Sequence, residues 1–257
     1  AEVGLNRKYR GKPCFQLSAS FIGRVFIDGR LFPGYYNTKD FFRKAVKRAR
    51  ALGYSIEMVR ADSAYLTAKN LRVLGELSLG YAIGAPSTFT VVKEGKARFK
   101  KLARQKHYSI VAISKGISAI DIGEVFIEDL STRLIIVRRI QRRKNKATGK
   151  WKIKTYFYAI ATSLQTSVLK AVKFYHQRQG IEAGFRELKD HYALERLPVK
   201  NLKGNEFWII CKMMAMTLVK LFQEELLPKA KQKLLRATLL RTLFQNNLCL
   251  SDEKSCQ

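Results

Sequence analysis

The sequence predicts an α/β protein whose core is interrupted by a β-rich stretch. Three observations carry this. Up to Pro86 a strand hairpin is followed by alternating helical and strand patterns; from Ser87 to Ser163 short apolar runs are separated by basic turns; from Leu164 the spacing is helical again. The expected divisions are therefore 1–86 (core, first part), 87–163 (β-rich insertion), 164–227 (core, second part) and 228–257 (helical tail).

Each element has its own signal. "CFQLSASFIGRVFIDGRLFPG", Cys14 to Gly34, alternates apolar with small or polar residues and breaks at Gly29 and at Pro33-Gly34, as two or three hairpin-linked strands would. "TKDFFRKAVKRARALG" has helical spacing of Phe41, Phe42, Val46, Ala49 and Leu52, with Thr38 as N-cap and Gly53 as stop. "YSIEMVRAD" is a short strand ending at Asp62; "SAYLTAKNLRVLGELSLG" is a helix and "YAIGAP" another short strand. The insertion holds "YSIVAIS", "GEVFIEDL", "RLIIVRRI" and "KTYFYAIATS". One long helix is expected from Thr166 to Ala193, then a loop with Pro198 and Gly204, then an apolar helix from Asn205 to Leu227. The tail carries a further amphipathic piece, "LLRATLLRTLF".

Charge narrows the partners. Lys and Arg number 49 against 20 Asp and Glu, a net charge of +29, which favours a polyanion: nucleic acid first, then a membrane surface or the ribosome. The most apolar run, Phe207 to Phe222, is shorter than the roughly 20 residues that span a bilayer and carries Lys212 and Lys220, so it reads as a buried helix and not as a membrane segment. Cys14, Cys211, Cys249 and Cys256 show no paired spacing and lie far from the histidines, which argues against a zinc site or a disulfide framework and for a reducing, intracellular setting. The opening "AEVGLNRKYRGK" has no initiator Met and no signal core, and reads as a start cut from something longer.

The chemistry concentrates in "YHQRQGIEAGFRELK". On one helix turning about 100° per residue, Tyr175, Arg178, Glu182, Arg186 and Lys189 fall within about 80° of one another, beside an apolar stripe of Phe174, Ile181, Phe185, Leu188 and Tyr192. A solvated face with an i,i+4 Glu182–Arg186 pair is the plain reading. The spacing Tyr-x2-Arg-x3-Glu-x6-Lys, however, resembles the Y-R-E-K signature of the insertion-sequence-four group of DDE transposases.

That resemblance implies an RNase H-like fold, a mixed sheet flanked by helices, with a β-rich insertion between the second and third catalytic acids. It implies a transposase that cleaves transposon ends and transfers strands by a two-metal mechanism, using Mg²⁺ with Mn²⁺ able to substitute. Glu182 would be the third acid, with Tyr175, Arg178, Arg186 and Lys189 contacting DNA. Asp62, at a strand end in "MVRADSAYLTAKNL", reads on its own first as a helix cap; paired with the Y-R-E-K match it looks like the second acid. Two carboxylates from separate elements are what two hard cations on a phosphate require. "NRKYRGKPCFQLSASF", "GRLFPGYYNTKD", "YFYAIATSL" and "NEFWIICKMMAMTL" extend the likeness along nearly the whole chain.

The first acid would lie upstream of Ala1, so the chain reads as N-terminally truncated. Asp28, the only Asp among the first 39 residues, sits in Asp-Gly turn chemistry. Trp151 is either a strand aromatic or a stacking surface for a DNA base, and the runs "RRIQRRKNKATGKWKIK" and "KEGKARFKKLARQK" together suit a DNA backbone. His176 and His191 receive no role. Asp121, Glu124, Glu128 and Asp129 in "DIGEVFIEDL" read as hairpin edges. By the same resemblance the partner is double-stranded DNA, the assembly a homodimer in a synaptic complex, and the location the cytoplasm of a prokaryotic host, on the nucleoid. A catalytically inactive, transposase-derived DNA-binding protein is the main alternative, and a ribosome-associated or general RNA-binding protein explains the charge alone.

Overall fold

A computed structural model describes residues 4–6, 12–23, 25–36, 38–104, 110–144, 149 and 151–227. In chain order its first elements are β1 (Gly4–Asn6), β2 (Lys12–Ile22), β3 (Val25–Pro33), α1 (Lys39–Ala51), β4 (Met58–Ala61), α2 (Ala68–Glu76), β5 (Gly80–Ala85) and α3 (Thr90–Leu102). They are followed by β6 (Val111–Ser114), β7 (Ile117–Ile127), β8 (Leu130–Lys144), β9 (Trp151–Thr162), α4 (Val168–His176), α5 (Gln179–Tyr192) and α6 (Leu202–Leu226). Two compact units result, one of residues 38–180 and one joining 1–37 to 181–257.

The 38–180 unit is built on a mixed six-stranded sheet in the order β4-β5-β9-β8-β7-β6. β4 and β5 are parallel, and every other neighbouring pair is antiparallel. Alternation on β8 sorts the two faces: Leu134 and Ile136 join Phe42 and Val46 of α1, Leu71 and Leu74 of α2, and Val92 and Phe99 of α3, whereas Ile135 and Val137 join Val168, Ala171, Val172 and Tyr175 of α4. Both faces are thus covered by helices. Residues on either side of position 86 contribute strands to this one sheet: β4 and β5 before it, β6 to β9 after it.

α3 lies within the stretch expected to be β-rich. Its sequence is dominated by cations, but Val92, Gly95 and Phe99 are buried, and a methyl group on Gly95 would come within 2.9 Å of Ile136. Close seating of helix on sheet decides its conformation where the pattern is weak.

In the second unit β1, β2 and β3 form an antiparallel sheet. Leu31 packs with Leu188 and Tyr192 of α5 and with Ile209, Met213 and Met216 of α6. The Leu31 amide donates to the Glu206 carboxylate (2.9 Å) and the Phe26 amide to the Thr217 hydroxyl (3.0 Å), tying β3 to α6.

Three expectations need correction. The hairpin does not break at Gly29: the reversal is at Gly23, where φ is +58°, and Gly29 pairs with Ala19 in mid-strand, packed so tightly that a methyl group would meet the Phe26 ring at 2.9 Å. Asp28 is therefore a strand residue, its carboxylate accepting from the Gly29 amide. The single helix from Thr166 to Ala193 is two helices, α4 and α5, separated at Gln177 and Arg178. Bonds from Gln177 N–H to Phe174 C=O (3.3 Å) and from Arg178 N–H to Tyr175 C=O (3.0 Å) tighten the last turn of α4 to i,i+3 spacing, and Gly180 follows. α6 is not buried all round: Phe207 and Leu218 are about two-thirds exposed, at 66% and 65%. Its Lys212 donates to the Ala193 and Arg196 carbonyls, both at 2.8 Å, beyond the end of α5. No helix among the described residues is long and apolar enough to cross a membrane. The amphipathic piece "LLRATLLRTLF", with Cys249 and Cys256, lies outside the described residues.

Candidate active site and nucleic-acid interface

Asp62 stands where the parallel pair ends. β4 pairs with β5 through Ala61 and Ile83, so Asp62 leaves the sheet at the level of Gly84, at the carboxyl ends of both strands, where open α/β sheets present ligands. Its carboxylate accepts from the Ser63 amide at 2.7 Å and starts a single 3-10 turn, Ser63–Tyr65. Asp62 is thus a cap, as its sequence context allowed. It is also exposed, and its second carboxylate oxygen has no hydrogen-bond partner among the described residues. Buried Asn70 fixes the loop from behind, donating to the Tyr65 carbonyl at 2.8 Å.

α4 returns along the sheet to the same end. Ser167 caps its start, its hydroxyl accepting from the Lys170 amide. Arg133, paired with Asp121 at 2.6 Å, donates to the Leu164 and Thr166 carbonyls and holds the loop into the helix. At the other terminus Tyr175 is buried, and its hydroxyl reaches the Asp62 loop: a methyl group on Gly84 would stand 2.7 Å from that hydroxyl and 3.2 Å from the Ser63 amide nitrogen. Only glycine leaves this room.

The end of α4 is braced by cations. Arg60, two residues before Asp62, donates to the Phe174 carbonyl (3.3 Å) and to the Gln177 side chain, with its guanidinium 4.8 Å from the Phe174 ring centre. Cations beside terminal carbonyls complement the helix dipole. The Arg178 guanidinium lies 5.6 Å from the centre of the Tyr175 ring. Tyr158 of β9 and His176 share a hydrogen bond through the hydroxyl and Nε2. Burial, with Tyr175 nearby, pushes the Tyr158 hydroxyl up to about 12; burial, then Arg139 and Arg178, pull the His176 imidazole below its ordinary value, so the pair rests neutral.

The remaining motif residues belong to the other unit. Glu182 is exposed in the first turn of α5, where a negative charge suits the helix N-terminus. Arg186 is exposed, and Lys189, in the last turn, forms a 2.5 Å ion pair with Glu195. What orients α5 is its buried face: Leu188 and Tyr192 in the core, and Phe185 edge-on to Phe21 with ring centres 6.3 Å apart.

The structure thus brings Asp62, Tyr175 and Arg178 to one end of one sheet and places Glu182, Arg186 and Lys189 in the second unit. The one-helix arrangement is corrected, because the break at Gln177 and Arg178 removes the straight helix on which it depended. Trp151 is 61% exposed, with the Arg142 guanidinium 5.7 Å from its ring centre. By register it lies on the α1–α3 face of the sheet, opposite Tyr158 and Tyr175. In kind, exposed carboxylate oxygens suit a hard divalent cation. In number they fall short: among the described residues no three of His, Cys, Asp and Glu come together as ligands.

Arg60, Gly84 and the Tyr158–His176 pair were missed from sequence. Arg60 had a readable signal, since it lies two places before Asp62 on the same strand; Gly84 and Tyr158 become neighbours of Tyr175 only through the packing of α4.

No curated protein matches the chain. Residues 34–245, well over half of it, match the family model described as "Transposase DDE domain group 1", so the chain belongs to the DDE transposases of that group.

Proposed function

We propose that the chain is the catalytic region of an insertion-sequence-four-type transposase with an RNase H-like core, cutting transposon ends and transferring strands into target DNA. The observation that carries this is the convergence on Asp62: two members of the Y-R-E-K pattern, Tyr175 at the end of α4 and Arg178 in the turn after it, come to the carboxyl end of the strand that precedes Asp62. In this reading Asp62 and Glu182 would be two of the ligands to Mg²⁺ or Mn²⁺, which when bound would supply Lewis-acid stabilisation of charge on the phosphate oxygens.

The chain's own groups do the positioning. Arg178, held against the Tyr175 ring, offers its guanidinium to a phosphate, with Arg186 and Lys189 as further backbone contacts. Tyr175, fixed by the fit at Gly84, sets the height of the Asp62 loop. Trp151 is a stacking surface for a base. The active form is a homodimer pairing two double-stranded ends, in the cytoplasm on the nucleoid.

A plasmid-nicking assay with Mg²⁺ or Mn²⁺ tests this, comparing the chain with Asp62→Asn and Glu182→Gln. Metal-dependent nicking lost to background in both variants is expected. Full nicking by either variant would overturn the assignment of that carboxylate.

A further inference from the structure

β8 and β9 run on past the rest of the sheet. β7 stops pairing with β8 at Arg139, and β5 pairs with β9 only from Ala159 onward, so Ile140–Lys144 and Trp151–Thr155 form a two-stranded ribbon. It projects from the carboxyl ends of β4 and β5, the end that carries Asp62.

The ribbon's two faces differ in chemistry. On the α1–α3 side are Ile140, Trp151 and Ile153, the last 70% exposed. On the α4 side alternation places Tyr158, Tyr156, Lys154 and Lys152 of β9, with Arg139 opposite Tyr156. Arg139, Lys152 and Lys154 are exposed, and among the described residues none has a carboxylate within ion-pair distance. Lys154 Nζ sits 5.1 Å from the Tyr156 ring centre. Tyr158 in turn bonds His176 and lies 6.5 Å, ring to ring, from Tyr175. Cations and tyrosines therefore continue without interruption from the Asp62 end out along the ribbon.

We infer that this face of the ribbon, Arg139, Lys154 and Lys152, is a phosphate track that holds duplex DNA running outward from the Asp62 end. From Tyr158 to Lys152 the track is about 20 Å long at ~3.3 Å per residue, which matches about six base pairs at ~3.4 Å each. The inference rests on the transposase reading only in taking DNA as the polyanion.

The test is equilibrium binding to a duplex of arbitrary sequence, about 30 base pairs long, over a salt series without divalent cations, so that it reads independently of nicking. Arg139→Ala/Lys152→Ala/Lys154→Ala is expected to flatten the log–log salt slope by about one unit per cation and weaken binding roughly eightfold per cation at about 0.1 M salt. Arg139→Lys/Lys152→Arg/Lys154→Arg keeps the charge and should keep the slope. An equal loss of charge on α1, Lys44→Ala/Lys47→Ala/Arg48→Ala, should change it less. The track is overturned if the ribbon variant keeps the unaltered slope, if the α1 variant matches the ribbon variant, or if the ribbon variant loses duplex RNA while its DNA slope is unchanged.

Discussion

The end of α4 and the start of α5 are a few residues apart in sequence and opposite in construction. At the end of α4, Tyr175 is buried, Arg60 closes the terminal carbonyls, and Tyr158 and His176 form a neutral, half-buried pair. At the start of α5, Glu182 stands exposed, and the helix is held by its far side, Leu188 in the core and Glu187 against Lys220 at 2.9 Å. The two halves of the motif get their precision from different sources. Tyr175 is positioned by its own contacts, whereas Glu182 is positioned by residues that face away from it.

This contrast can be broken at graded cost. Lys220→Ala leaves the Glu187 carboxylate with its side chain only 10% exposed and its cation gone; a loss of about 3 kcal/mol in denaturant unfolding is expected, while Lys220→Met/Glu187→Leu should recover most of it. Gly84→Ala drives a methyl group into the Tyr175 hydroxyl and the Ser63 amide, at a cost of about 1–3 kcal/mol in the same measurement. Arg60→Ala removes a charged donor from the Phe174 carbonyl, and about 1 kcal/mol with faster hydrogen exchange at the Gln177 and Arg178 amides should follow.

Mild acid should probe the α4 end. The folded His176 pKa lies below the ordinary 6.5, so its contribution to stability is present above that value and is lost as pH falls through the folded pKa. Thermal unfolding should show a drop on acidification below 6.5 that His176→Gln reduces. The smallest expected change in stability is that of Glu182→Gln, which removes a charge at the N-terminus of α5, about 0.3–1 kcal/mol.

The order of elements was readable because it rests on periodicity and caps: α1 ends at Ala51, with Leu52 as its C-cap before Gly53, and β4 ends just before Asp62. The mixed sheet with helices follows from the alternation of strand and helix. What pattern could not carry was set by tertiary fit. Gly23 and Gly29 look alike in sequence, and only the Phe26 and Met213 side chains make the second a packing glycine. Tyr175 to Lys189 has unbroken helical spacing, yet i,i+3 bonds and Arg60 end α4 inside it. At the site, Asp62 was visible as a carboxylate at a strand end; its link to Tyr175 through Gly84 was not, since the three lie far apart in sequence.

Asp62 and Glu182 are proposed to ligate the same metal ions. Mn²⁺ titration followed by electron paramagnetic resonance tests this proposal directly, with the unaltered chain, Asp62→Asn and Glu182→Gln, each checked for folding. Each substitution is expected to remove the same bound-Mn²⁺ signal, and the double variant to lose nothing further. Two independent losses, or an unchanged signal in Glu182→Gln, would contradict it.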